Sequence, residues 1–183
     1  MKQNQALTFA GVGAHHQNGK AEKRIRDLQD MTRTILVHAN RRWPKAITVA
    51  LWPYALRHAN SCINATPSLQ NKERMSPIQS FESHNVEINP KHWHPFGCPV
   101  HVLAEPLQAG APFHKWKVRA RVGVNLGQSP IHNQNVALVL NLDTGHVSPQ
   151  FHVKFDNSFT PRIRLYWSPS GNRKLVLNGV LPS

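Results

Sequence analysis

The sequence is poor in cysteine and contains no long apolar run. Its 183 residues include two cysteines, Cys62 and Cys98, too few for a disulfide framework, which favours a reducing compartment. No apolar stretch approaches the roughly 18 residues that suggest a membrane-spanning helix. The first residues also lack the apolar stretch of a secretory signal. We therefore expect an intracellular protein, nuclear or cytoplasmic, without a membrane partner.

Acidic residues are also scarce. Nine Asp and Glu residues face 22 Lys and Arg residues, which gives a formal net charge of +13. Basic residues concentrate in 1–44, 109–125 and 161–183, and the last two segments contain no acid. One such cluster is as consistent with a solvated surface as with a binding site, but three together favour a polyanionic partner. We predict DNA as the partner, with RNA as the alternative, and no small-molecule substrate.

The residues after Asn18 follow the 3.6-residue period of an α-helix. We predict a helix from Asn18 to His38, with Asn18 as its N-cap, preceded by a short strand over 6–14. The side chains expected on its buried face recur at helical spacing: Ala21, Ile25, Leu28, Thr32, Ile35 and Ala39.

A second helical pattern covers about 43–63, with a proline in its first turn. Pro53 lies inside this span and predicts a kink. His58 and Cys62 stand one turn apart on the inner face. No other His/Cys pair has zinc-like spacing, so we interpret both as packing residues rather than metal ligands. A short helix is predicted over 76–81.

From Phe96 onward the hydrophobic period changes to two. Four or five short alternating runs, with a tight turn at Asp143-Thr144-Gly145, predict a small closed β-barrel over 96–160. Arg119 and Arg121 are expected on the outer face of this barrel. Residues 161–183 show no clear period and are expected to form a disordered basic tail.

Glu22 is a lone carboxylate in the first turn of the first predicted helix. The positive end of the helix dipole favours an acid at such a position, and this alone explains it in most helices. The surrounding cations, among them Lys20, Lys23, Arg24 and Arg26, also suit a site that holds a divalent metal and a phosphate backbone. The 21 residues before Glu22 contain no Asp or Glu, so any acidic partners for a metal would come from elsewhere.

A series of short motifs resembles Copia-type retrotransposon integrases, which belong to the retroviral integrase family. The series begins at Asn18-Gly19-Lys20-Ala21-Glu22 and spans about residues 7–160. Each motif is weak alone, but the whole set in the family's order is specific. The others are Leu51-Trp52-Pro53-Tyr54-Ala55, Asn64-Ala65-Thr66-Pro67, Ser76-Pro77-Ile78-Gln79, Phe96-Gly97-Cys98-Pro99-Val100, Arg121-Val122-Gly123-Val124-Asn125-Leu126-Gly127-Gln128-Ser129 and Phe151-His152-Val153-Lys154-Phe155-Asp156.

The resemblance implies an RNase H-like core whose Asp, Asp, Glu triad binds two Mg²⁺ ions for DNA strand transfer. In that interpretation Glu22 is the third catalytic carboxylate and a metal ligand. The barrel would be the SH3-like domain that follows the core, and other integrase chains would be partners. The predicted nucleic-acid contacts are Asn18, Lys20, Lys23, Arg26, Gln29, Arg119 and Arg121.

The sequence also departs from the family pattern. Both aspartates of the triad would lie upstream of Met1, Gln79 replaces the usual Glu, and Asn125 replaces a common aromatic residue. We therefore expect a fragment of a retrotransposon polyprotein that is inactive alone. The alternatives are a non-enzymatic DNA- or RNA-binding protein derived from a mobile element, and a structural fragment with no retained activity.

The predicted fold class is α+β, with an incomplete RNase H-like core fragment of one short strand and two main helices, followed by the barrel. The expected divisions are 1–66 for the core fragment, 67–95 for a Pro-rich connection, 96–160 for the barrel and 161–183 for the tail. Because the core's sheet would be mostly missing, the helices are expected to lack a packing partner within the chain, whereas the barrel would fold alone.

Overall fold

The computed structural model describes residues 11–12, 18–67, 74–82 and 88–160, together with the backbone of 163–167 and 173–177. The strand predicted over 6–14 falls outside these residues except at positions 11–12. The described chain combines helices with an antiparallel sheet and is therefore α+β, as predicted. Its helices are Gly19–Arg42 (α1), Trp52–Ala65 (α2), Pro77–Glu82 (α3) and Glu105–Gln108 (α4).

Helix α1 begins where the sequence predicts, after Asn18, but its buried face is shorter than expected. Asn18 occupies the N-cap position without a side-chain capping hydrogen bond. Thr32 and Ala39 are buried, whereas Ala21 is exposed and Ile25 is 55% exposed. The predicted stripe is thus wrong for the first turns, because the contacts that bury α1 fall on its second half.

The second predicted helix starts later than its pattern suggested. Helix α2 begins at Trp52, with Pro53 in its first turn, so Pro53 does not kink it. The preceding residues form a turn at 44–46 and a 3-10 turn, Val49–Leu51. Proline lacks an N–H and is tolerated in a first helical turn, where that N–H needs no intrahelical partner. The predicted kink is therefore replaced by a helix start.

Helix α3 matches the short helix predicted over 76–81. Its start carries a reciprocal pair of hydrogen bonds: the Ser76 N–H donates to Gln79 Oε1 at 2.9 Å, and the Gln79 N–H donates to Ser76 Oγ at 3.4 Å. This is a capping box, in which glutamine serves as well as glutamate. Gln79 therefore helps to fix the start of α3.

The second half of the chain forms an open five-stranded antiparallel sheet rather than the predicted closed barrel. The strands are Pro99–Leu103 (β1), Ala120–Gln128 (β2), Ala137–Asn141 (β3), Val147–Gln150 (β4) and Val153–Phe155 (β5). Their order in the sheet is β4-β3-β2-β1-β5, with β4 and β5 at opposite edges. The turn predicted at Asp143-Thr144-Gly145 joins β3 to β4, where the Gly145 N–H donates to the Asn141 carbonyl at 2.8 Å.

One face of this sheet packs against the helices. Ala39 near the end of α1, Ile47 in the connection that follows and Ala55 of α2 belong to one buried cluster. Val124 and Leu140 of the sheet belong to the same cluster. The indole N–H of the buried Trp43 also donates to the Gly97 carbonyl at 2.7 Å. The expectation that the helices lack a packing partner within the chain is therefore wrong, since this sheet supplies one.

The other face of the sheet carries a second buried cluster that includes Val100, Val102 and Val139. Arg121 lies directly opposite Val102 in the β1–β2 register, so the two side chains share this face. Arg121 is half-buried, and its Nη1 is shielded from water. The structure thus corrects the projection into solvent predicted for Arg121, because its face of the sheet carries this second buried cluster.

Two more strands lie in the segment predicted to be a disordered tail. The backbone of Ile163–Trp167 (β6) pairs antiparallel with that of Arg173–Leu177 (β7). The sequence of β6 alternates apolar residues with Arg164 and Tyr166, a two-residue period typical of strands. This paired backbone corrects the expectation of disorder for these two stretches.

Candidate nucleic-acid interface

The start of α1 is an exposed, mainly basic surface. The predicted contact residues Asn18, Lys20, Lys23, Arg26 and Gln29 are all exposed, as is Glu22. Residues 22, 26 and 29 follow the i, i+4, i+7 spacing that places side chains on one side of a helix. Lys20 and Lys23 project from other sides of α1 by the same geometry. The surface therefore presents cations around the helix start rather than on a single face.

Arg24 belongs to the same basic run in sequence but has a different environment. It is half-buried, and its Nη2 donates to Asn64 Oδ1 of α2 at 2.8 Å. This hydrogen bond joins the start of α1 to the end of α2. Arg24 therefore positions the helix, and Asn64, which belongs to one of the resemblance motifs, accepts the bond.

The described residues do not fit a Mg²⁺ site at Glu22. Within the described part of the chain, no three His, Cys, Asp or Glu side chains lie together as metal ligands. A two-metal centre needs several carboxylates that bridge and flank the ions, and one exposed glutamate among cations supplies too few. Both Mg²⁺ binding and the catalytic role of Glu22 stay predictions.

The second predicted surface lies at the start of β2. Arg119 is exposed, and its carbonyl accepts a 2.8 Å hydrogen bond from the Ala104 N–H next to α4. Arg121 is less available because it belongs to the half-buried face described above. Helix α1 contacts the sheet around Ala39. At a rise of 1.5 Å per residue, Ala39 lies about 26 Å along the helix from Glu22. The two predicted surfaces thus lie on different elements of the fold.

Sequence reasoning missed a cleft between α2, the turn Pro90–His92 and the sheet. Its volume is about 510 Å³, and its walls include Arg57 and His58 of α2 and the segment Lys91–His94. The hydrophobic periodicity of the sequence does not indicate this cleft, because its walls come from four separate stretches of chain. A run of three residues, His92-Trp93-His94, was the nearest indication.

Asn125, the second departure from the family motif, holds one wall of this cleft. Its buried side-chain amide donates to the carbonyls of His94 and Pro95, at 3.3 and 3.0 Å, and its Oδ1 accepts from the Gly127 N–H at 3.0 Å. These bonds fix the 92–95 segment against β2. The His94 ring then stacks on Phe155, with ring centroids 3.6 Å apart.

Two further groups around the core have perturbed proton affinities. Burial lowers the pKa of His58, which packs beside Gly127 and the Phe96 ring and is therefore favoured in its neutral form. Burial raises the pKa of the Cys98 thiol to about 12, and a hydrogen bond from Asn125 opposes this shift only in part. The contacts of His58 agree with its predicted packing role, and Cys62 is half-buried.

The fold and these sites define a basic α+β protein. In comparisons with known proteins, no family model, curated protein or solved structure matches the chain. Among the described residues, no helix is both long enough and apolar enough to cross a membrane.

Proposed function

We propose that the chain binds nucleic acid through phosphate contacts, as part of a Copia-type integrase that lacks strand-transfer activity alone. The observation that carries the proposal is the net charge of +13, combined with exposed cations at the start of α1. Side chains such as Lys20 and Arg26 are free to approach a phosphate backbone. Contacts of this kind give affinity without sequence information.

The finer fold assignment belongs to the same proposal. We take α1 and α2 to be the RNase H-like part and the five-stranded sheet to be the SH3-like part. Support comes from the order of the resemblance motifs and from the pairing of β5 with β1. This pairing places the last strand of the five-stranded sheet beside its first strand in chain order. Intracellular localisation, in the nucleus or the cytoplasm, is part of this proposal.

The proposed lack of strand-transfer activity rests on the number of carboxylates near Glu22. By the resemblance Glu22 is the third carboxylate of the triad, and among the described residues no other acidic side chains join it as a metal-binding group. The proposed role of this chain is therefore binding, with chemistry possible only where other carboxylates are supplied. The competing proposal, a non-enzymatic binding protein derived from a mobile element, shares the same phosphate contacts.

The salt dependence of DNA binding tests the proposal. Fluorescence anisotropy would measure the affinity of the whole chain for a labelled duplex at several salt concentrations. Each phosphate contact contributes a slope of about −0.9 to log affinity against log salt. The double variant Lys20→Gln/Arg26→Gln should therefore reduce the slope by about 1.8.

A matched control removes the same charge elsewhere. Arg41 and Lys154 are exposed and lie outside the predicted surface, so Arg41→Gln/Lys154→Gln should leave the slope nearly unchanged. An equal effect of the two double variants would locate the contacts elsewhere. A flat salt dependence of the parent chain would refute nucleic-acid binding through phosphates.

A further inference from the structure

The cleft beside α2 has the size of a ligand site. Its volume of about 510 Å³ lies within the range of about 300–1,000 Å³ that is usual for small-ligand pockets. One wall is helix α2, and the opposite walls are the end of β2 and the strand β5. A groove with these walls can surround one monomer unit of a polymer, whereas a flat basic surface contacts only its backbone.

The charge of the cleft favours an anion. Arg57 and Lys91 line it together with three histidines, and no Asp or Glu contributes to its walls. Arg57 lies with its guanidinium carbon 5.6 Å from the centre of the Tyr54 ring, a cation–π arrangement that holds the side chain in place. No carboxylate in the walls neutralises Arg57, so an incoming anion would supply its counter-charge.

Two buried polar atoms of the cleft residues lack a hydrogen-bond partner. Arg57 Nη2 and His92 Nδ1 are shielded from water and have no hydrogen-bond partner among the described residues. Buried polar groups in folded proteins usually have a partner, so the charge of Arg57 is incompletely compensated. A phosphate bound against the accessible part of the guanidinium would lessen the electrostatic cost of this arrangement.

The remaining walls suit a nucleobase. Trp93 is half-buried in the cleft, Phe151 is 57% exposed at its rim, and the side chains of Gln134 and Asn135 are exposed beside them. Aromatic side chains stack on the faces of bases with little sequence preference. In a duplex those faces are covered by neighbouring base pairs, so stacking on Trp93 or Phe151 requires an unpaired nucleotide.

We propose that this cleft binds one unpaired nucleotide of a nucleic-acid strand. The phosphate lies at Arg57 and Lys91, and the base lies against Trp93 and Phe151. This inference rests on the proposed function and extends it, because it names single-stranded nucleic acid as the preferred partner. The histidines of the cleft do not form a metal cluster within the described residues.

The first measurement compares affinities of the full chain for a fluorescent single-stranded decanucleotide and for a hairpin duplex with the same number of phosphates. Removal of one charge-assisted contact, in Arg57→Gln, should weaken single-strand binding about tenfold. Trp93→Leu should have an effect of about tenfold or more through lost stacking. Arg41→Gln, which removes an equal charge from an exposed site away from the cleft, should weaken binding less than threefold by screened attraction alone.

The second measurement does not depend on how the variants fold. An oligonucleotide that carries 5-iododeoxyuridine, bound to the unaltered chain and irradiated, should crosslink to Trp93 or Phe151. Crosslinks confined to α1 would overturn the cleft assignment. The assignment also fails when folded Arg57→Gln and Arg41→Gln lose the same affinity, or when the duplex binds as tightly as the single strand.

These outcomes separate the inference from the function beneath it. Salt-dependent DNA binding that Arg57→Gln and Trp93→Leu leave unchanged would refute the assignment of the cleft. It would not refute the proposed function. A chain that binds no nucleic acid would overturn both. Binding to vesicles of phosphatidylserine that Arg57→Gln weakens, with oligonucleotide binding unchanged, would identify a lipid headgroup as the ligand and overturn the nucleotide assignment.

Discussion

Replacement of Gly97 by alanine tests whether α1 and the sheet form one cooperative unit. A β-carbon at position 97 would lie 2.7 Å from the Ala39 β-carbon and 3.3 Å from its α-carbon. Because both atoms belong to a short side chain and the backbone of α1, they cannot rotate away. Gly97 also has a φ of +83°, which disfavours any L side chain.

The expected loss has two parts of known size. The left-handed backbone costs an alanine about 1–2 kcal/mol, and overpacking in a filled core costs about 1–3 kcal/mol. Gly97→Ala should therefore lower the free energy of unfolding by about 2–5 kcal/mol. Gly145→Ala is the matched control, because Gly145 has a φ of +74° with no atom within 4 Å of an added β-carbon. Gly145→Ala should lose only the roughly 1–2 kcal/mol that the left-handed backbone costs.

Urea unfolding and amide hydrogen exchange would measure the effect. The amides around Ala39 in α1 and around Val124 in β2 should lose protection together, since these residues share one buried cluster. The first turns of α1 should exchange fast in every variant, as Ile25 is exposed. Equal losses in Gly97→Ala and Gly145→Ala would refute the close packing. Loss of protection in the sheet alone would show that the sheet folds without α1.

Three further predictions concern single side chains. Iodoacetamide should modify Cys62 before Cys98, which burial keeps protonated with a pKa of about 12, and mass spectrometry would detect early Cys98 labelling if this is wrong. Because burial lowers the pKa of His58 below its ordinary 6.5, the unfolded chain takes up the proton first, and stability should fall as the pH drops below 6.5. His58→Gln should make that fall shallower in urea titrations, and an unchanged pH profile would count against the buried neutral ring. The chain should give no Mg²⁺- or Mn²⁺-dependent strand transfer on a labelled DNA end, and product that disappears in Glu22→Ala would contradict this.

Local pattern predicted the types of most elements. The 3.6-residue period indicated α1, and the two-residue period indicated the runs that became β1, β2 and β3. Pro53 was misread because a proline is compatible with a kink and with a helix start, and only the position of the preceding turn distinguishes them. Boundaries of this kind depend on neighbours in space rather than on neighbours in sequence.

The buried face of a strand was harder to predict than the strand itself. The alternation in β2 correctly separates Val122 and Val124 from Arg121 and Gly123, yet it does not say which side meets the helices. Because the second face carries its own buried cluster, with side chains from β1 and β3, Arg121 and Asn125 are partly or fully buried rather than solvent-facing. A strand covered on both sides has no polar face, so its alternation loses meaning as a sign of exposure.

The sequence by itself determined the charge, the periodicity and the family-like motifs, because each is a property of residues counted along the chain. These properties are the basis for predicting an α+β fold and a nucleic-acid partner, and for singling out Glu22. Only the tertiary structure decided that the end of α1 packs on the sheet through Ala39, and that Arg57 and Trp93 line one cleft. Such placements depend on steric fit between segments far apart in sequence, and a local pattern carries no record of that fit.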